Sequence, residues 1–82
     1  MTVNYAAPAE LFPSRRYAKT PSTRYRRFPN AAEAVRYAIE EMPEAWLIGT
    51  FLDIDGTRYE GRQIRALYDA EAYPLERAKV AA

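Results

Sequence analysis

Two carboxylates two residues apart, Asp53 and Asp55, followed at once by Gly56 and Thr57, are the residues of this chain best spaced to do chemistry. Paired carboxylates can hold a divalent ion and move protons, but they accomplish little without the metal, a base and an oriented electrophile. Much of the usual supporting equipment is missing from the 82 residues. There is no His, the commonest general base and transition-metal ligand. There is no Cys either, which excludes thiolate nucleophiles, disulfide frameworks and structural zinc fingers. Counting Asp53 as the first position of an EF-hand loop puts Ile64 where a bidentate Glu is required, so that mode of calcium binding fails.

The string Asp53-Ile54-Asp55-Gly56-Thr57 resembles the first motif of haloacid-dehalogenase-like phosphatases. The resemblance implies that Asp53 attacks phosphorus, that Asp55 acts as general acid, and that Mg²⁺ neutralises charge. It also implies a parallel Rossmann-like sheet, a distal Lys and further acidic metal ligands. After Asp55 only 27 residues remain, and they hold one Lys, Lys79. A five-residue match outside its structural context is weak evidence. The competing reading of the same residues is a β-hairpin, and on that reading the chain is expected not to be an enzyme. It would have no catalytic residue, metal site, cofactor or small-molecule substrate.

The hairpin follows from Asp55-Gly56, the preferred pair for a two-residue type I′ turn in which both positions need positive φ. That loop sets Ile54 opposite Thr57, Asp53 opposite Arg58, Leu52 opposite Tyr59 and Phe51 opposite Glu60. An aliphatic–aromatic pair and an opposite-charge pair then face each other across the ladder. Alternation puts Trp46, Ile48, Thr50, Leu52, Ile54 and Tyr59 on one face, and Leu47, Gly49, Phe51 and Arg58 on the other. A slip of one residue would turn Asp53 and Asp55 to the core, which fixes the register.

The elements around the hairpin are read from periodicity. The chain divides near Thr23. Residues 1–23, with Pro8, Pro13 and Pro21 and Leu11-Phe12 as the sole compact apolar pair, are expected to form a flexible basic arm. Residues 24–76 form the domain, and 77–82 a frayed tail. Arg24–Phe28 is a candidate strand ended by Pro29. Asn30 and Glu33 read as a capping box opening a helix over 31–42, with Ala31, Ala34, Val35, Ala38, Ile39 and Met42 inward and Arg36 paired to Glu40. Pro43 stops it. A second helix is expected from after Gly61 to about Ala72, with Arg65–Asp69 paired outward, and Leu75 to Val80 adds a short turn. The predicted fold is α+β in the order β-α-β-β-α. It is a small three-stranded mixed sheet, Trp46–Ile54 central and parallel to 24–28, with two helices packed on one face.

Two function classes follow. Leu47 and Phe51 point away from the helices and form an apolar strip on the bare sheet face, which predicts a cytoplasmic protein-interaction or regulatory module. It would act as a homodimer or with a partner protein. The alternative is a nucleic-acid accessory protein. Net charge is +1, yet residues 1–30 hold six basic residues and one acid, whereas residues 31–82 hold six basic and ten acidic ones. The basic segment is Arg15, Arg16, Lys19, Arg24, Arg26 and Arg27, interleaved with Tyr17, Tyr25 and Phe28. Guanidiniums for phosphates and rings for bases are what single-strand contacts use. No window is long and apolar enough to suggest a membrane span.

Overall fold

The computed structural model describes residues 3–17, 19–20 and 25–75. The expected boundary at Thr23, the site candidate Arg24, the last expected domain residue Glu76 and the tail 77–82 lie outside the described residues. The elements run β1 (Ala9–Phe12), β2 (Arg26–Phe28), α1 (Ala31–Arg36, continued as a π turn over Tyr37–Glu41), a 3₁₀ turn (Glu44–Trp46), β3 (Phe51–Ile54), β4 (Thr57–Glu60) and α2 (Gly61–Asp69). Together they make a small α+β domain with a four-stranded antiparallel sheet in the order β2-β1-β3-β4.

The hairpin forms as its turn chemistry requires. Asp55 and Gly56 have φ of 50° and 85°, the paired left-handed positions of a type I′ turn. The Asp53 carboxylate accepts the Gly56 N–H at 3.1 Å, which anchors the loop. The β3–β4 register is the expected one: Phe51 opposite Glu60, Leu52 opposite Tyr59, Asp53 opposite Arg58 and Ile54 opposite Thr57.

The sheet itself departs from expectation in two ways. It has four strands, because Ala9–Phe12, assigned from sequence to the arm, inserts between β2 and β3 and pairs antiparallel with both. β2 and β3 consequently run in the same direction, as two strands joined by a helix tend to, but β1 separates them and the sheet is not mixed. Pro8 and Pro13 flank β1 just outside the ladder, where a missing N–H costs no pairing. In addition, β3 starts at Phe51, not Trp46. Residues 44–46 wind into the 3₁₀ turn, with Trp46 N–H donating to the Pro43 carbonyl at 2.9 Å and Leu47 N–H to the Glu44 carbonyl at 3.1 Å. Gly49 at φ 89° then redirects the chain into the strand. Ile48, expected inward, is 85% exposed.

The core lies between the sheet and the helices. Leu11, Leu52 and Ile64 are fully buried with Val35, Ala31 and Ala34, and small residues on α1 let that helix lie close on the strands. Asn30 caps α1 by accepting the Glu33 N–H at 2.9 Å. Arg36 pairs with Glu33 at 3.0 Å, one turn earlier than the expected Glu40. α2 carries a reciprocal box in which the Glu60 side chain accepts the Gln63 N–H and Gln63 accepts the Glu60 N–H at 2.9 Å. Arg65 pairs with Asp69 at 3.2 Å, as the spacing predicts. Before β1, the Tyr5 carbonyl accepts the Ala32 N–H at 3.0 Å and the Tyr5 hydroxyl donates to the Leu67 carbonyl at 2.9 Å. This end of the chain is thereby tied to both helices. No helix among the described residues is long and apolar enough to cross a membrane.

Candidate functional site

With both helices on one side, alternation delivers the remaining side chains of β1, β3 and β4 to an open outer face. Two rows cross that face. One runs Arg27, Glu10, Asp53, Arg58 from β2 to β4, each residue opposite the next in register. The other sets Phe12 opposite Phe51 on the two central strands. Tyr25, just before β2, leans onto Phe12 with ring centroids 5.4 Å apart. The Arg58 guanidinium lies 5.3 Å from the Phe51 ring centre and 5.9 Å from that of Phe12. Although Asp53 stands opposite it in register, Arg58 makes no ion pair with Asp53, whose carboxylate instead holds the turn. Cation–π attraction over two rings accounts for that preference.

The face is polarised along the strands. At one end Phe12, Phe51, Tyr25 and Pro13 enclose an open hollow of about 590 Å³, with Arg15 and Arg58 at its margin. Phe51 is 37% and Tyr25 44% exposed. At the other end Glu10, Asp53 and Asp55 gather beside Arg27 around a smaller hollow of about 230 Å³. Tyr25 spans the two ends: its hydroxyl donates to the Glu10 carboxylate at 2.5 Å. That hydrogen bond is the main cause that raises the phenol's pKa, with desolvation and the Glu10 charge adding to it and Arg27 opposing. Glu60, opposite Phe51 in register, offsets one of the two cations at the aromatic end and also caps α2.

The residues singled out from sequence are only partly brought together. Phe51 is on the outer face, but its aromatic neighbour is Phe12. Leu47 sits in the turn before β3 and packs on the core, its carbonyl pressed against Gly61, so it shares no strip with Phe51. Of the basic set, Arg15 and Tyr25 meet at the hollow and Arg27 joins the acidic row. Arg26 turns to the helix side, 4.6 Å over the Tyr37 ring. Arg16 and Tyr17 follow β1, where Tyr17 stacks on Trp46 with planes 9° apart. Lys19 is exposed. Phe12, Glu10 and Arg58 were missed as site residues. Alternation over the four residues Ala9–Phe12 is too short to signal the first two, whereas the hairpin register already placed Arg58 outward.

Asp53 and Asp55 do not stand in the setting that the phosphatase resemblance implies. β3 has antiparallel neighbours on both sides, β1 and β4, where that resemblance calls for a parallel sheet. Among the described residues no group of three or more His, Cys, Asp or Glu is arranged to hold a metal ion. Comparisons with protein-family models, with curated proteins and with solved structures find no match to this chain.

Proposed function

We propose that this protein is a small, non-catalytic interaction module of the cytoplasm that binds a second protein chain through the open face of its sheet. The observation that carries the reading is the composition of that face. A solvent-facing side of an antiparallel sheet is ordinarily polar, yet here Phe12, Phe51 and Tyr25 adjoin one another at its centre and edge. Interface cores favour aromatic residues and Arg. Arg15 and Arg58, neither in an ion pair among the described residues, stand beside the rings.

The test is photo-cross-linking in cells, with a benzophenone amino acid at position 51 and, as control, at the exposed Arg62 on α2. A discrete protein adduct from position 51 and none from position 62 is the expected result. An absence of any adduct from position 51 in the folded protein refutes the proposal. A second reading, contact with single-stranded nucleic acid, is favoured by the same juxtaposition of rings and uncommitted guanidiniums. An adduct at position 51 that nuclease digestion removes identifies it. The acidic row Glu10, Asp53 and Asp55 weighs against it, since a phosphate backbone laid along the strands would meet three carboxylates.

A further inference from the structure

We infer that the chain seated on the open sheet face is a second copy of this one, packed face to face with its strands antiparallel to those of the first. The inference rests on the interaction-module reading and names its occupant. Its basis is the separation of charge along the strands. The aromatic end carries Arg15 and Arg58 against Glu60, while the opposite end carries Glu10, Asp53 and Asp55 against Arg27. The two ends therefore have opposite sign.

A two-fold axis relating two apposed faces must lie in the plane between them. If it runs along the strands, each end meets its own kind: rings and guanidiniums face guanidiniums, and carboxylates face carboxylates. If it crosses the strands between the two rows, the ends are exchanged while each strand still lies over its own copy. The Arg58 guanidinium, poised above Phe12 and Phe51, then comes over Asp53 and Glu10 of the other copy. By symmetry the second Arg58 returns the contact. One charge pattern satisfies itself twice, which is the condition for an isologous interface. Like-charge juxtaposition selects against the other axis.

With Arg58 held over the rings, the carboxylate opposite it in register stays available to the other copy. Asp53 is committed to the turn through one oxygen and keeps the other for a partner. The dimensions agree as well. The molecule measures 34 × 33 × 19 Å, the proportions of a two-layer slab. A broad face of that size can supply the ~800 Å² per partner of a standard interface. Apposed sheets of this kind pack ~10 Å apart with strands within about 30° of alignment. No nucleic-acid strand or generic acidic partner satisfies both ends at once, whereas a second copy does.

The experiment is sedimentation equilibrium on the full chain across a concentration series, with Arg58→Asp and Asp53→Arg made separately and then mixed. The wild-type chain is expected to dimerise. Each single variant should weaken dimerisation at least tenfold, because each sets like charges against one another at both contacts. An equimolar mixture should recover the wild-type mass. In the mixed pair every 58–53 contact between copies again joins opposite charges, although neither chain has regained its own 58–53 pair. Mass of a single chain for the wild type, up to the highest soluble concentration, overturns the inference, as does a mixture that stays monomeric.

Should either variant fail to fold, the native absence of Cys offers an independent test. Asp53→Cys and Phe51→Cys chains, mixed with a short thiol-specific linker, should couple to each other in preference to themselves. Preferred 51–51 self-coupling overturns the antiparallel arrangement. A position-51 photo-adduct to a different protein, with a monomeric wild type, overturns the second copy alone and leaves the interaction-module reading standing.

Discussion

Leu11→Ala measures directly whether β1 belongs to the folded core. Leu11 is completely buried, opposite Leu52 on β3, in the strand that hydrogen-bonds on both sides. Truncating a fully buried Leu costs ~2–5 kcal/mol through lost transfer energy and the cavity left behind. A central strand pinned by two neighbours collapses poorly onto a void, so a loss of about 3 kcal/mol is expected. The whole domain should be worth only ~4–12 kcal/mol at this length. The substitution therefore removes a large part of the total, and the melting temperature should fall by ~12–24 °C. Urea unfolding followed by the fluorescence of the single Trp, Trp46, reads the change. Two chain concentrations are needed, because dimerisation through the outer face would make the midpoint concentration-dependent. Arg62→Ala, at an exposed position on α2, serves as the control and should stay within ~0.5 kcal/mol of wild type. If Leu11→Ala also stays within that margin, residues 9–12 are not a central strand and the account of the sheet is wrong.

Two further outcomes follow from the same geometry. Gly61→Ala should destabilise by ~1–3 kcal/mol through overpacking, even though Ala suits helices better than Gly. A Cβ there would collide with the Leu47 carbonyl and lie 3.2 Å from the Leu47 Cγ; a stabilised variant in chemical denaturation refutes the packing of that turn on α2. The second concerns pH. Because the hydrogen bond to Glu10 raises the Tyr25 phenol's pKa, its contribution to stability is complete below the unfolded phenol's value, about 10, and is lost as pH rises through the higher folded value. Glu10→Ala should return the phenol towards its ordinary value in an ultraviolet titration from which the Tyr25→Phe curve is subtracted, and an unmoved midpoint refutes the contact.

The hairpin was legible because its information is local. Asp-Gly demands a type I′ turn, the turn fixes the register, and the register fixes which side chains face out. The helices were legible for the same reason: Asn30 and Pro43 bracket one, and the apolar spacing identifies both. β1 was not. It is four residues long and fenced by Pro8 and Pro13, so its alternation spans too few positions to register as a period. Its partners lie 15–19 residues away on β2 and some 40 residues away on β3, and only tertiary pairing reveals it. The false start of β3 has a similar origin. Trp46, Ile48 and Thr50 mimic strand alternation, but the turn after Pro43 takes up Trp46, and the Thr50 hydroxyl is buried to serve the Trp46 carbonyl and the Ser14 N–H. A polar group with two internal partners there terminates a turn, where the sequence suggested it continued a strand.

The outer face inherits that division. Phe51 and Arg58 could be placed on it from the hairpin alone, whereas Glu10 and Phe12 could not, because their strand was hidden. The strand that completes the core also completes the surface: Ala9 and Leu11 point in, Glu10 and Phe12 point out. Deleting the first 23 residues is consequently a poor probe of binding, since it removes a central strand along with Arg15, Arg16 and Lys19. The loss of function that followed would report unfolding. Fold and surface can be separated only by substitutions confined to one side of β1. Leu11→Ala should unfold the domain more readily without altering the exposed chemistry. In the outer row, Arg58→Asp should leave the fold and change what the face accepts, whereas Asp53→Arg also takes away the carboxylate that holds the turn.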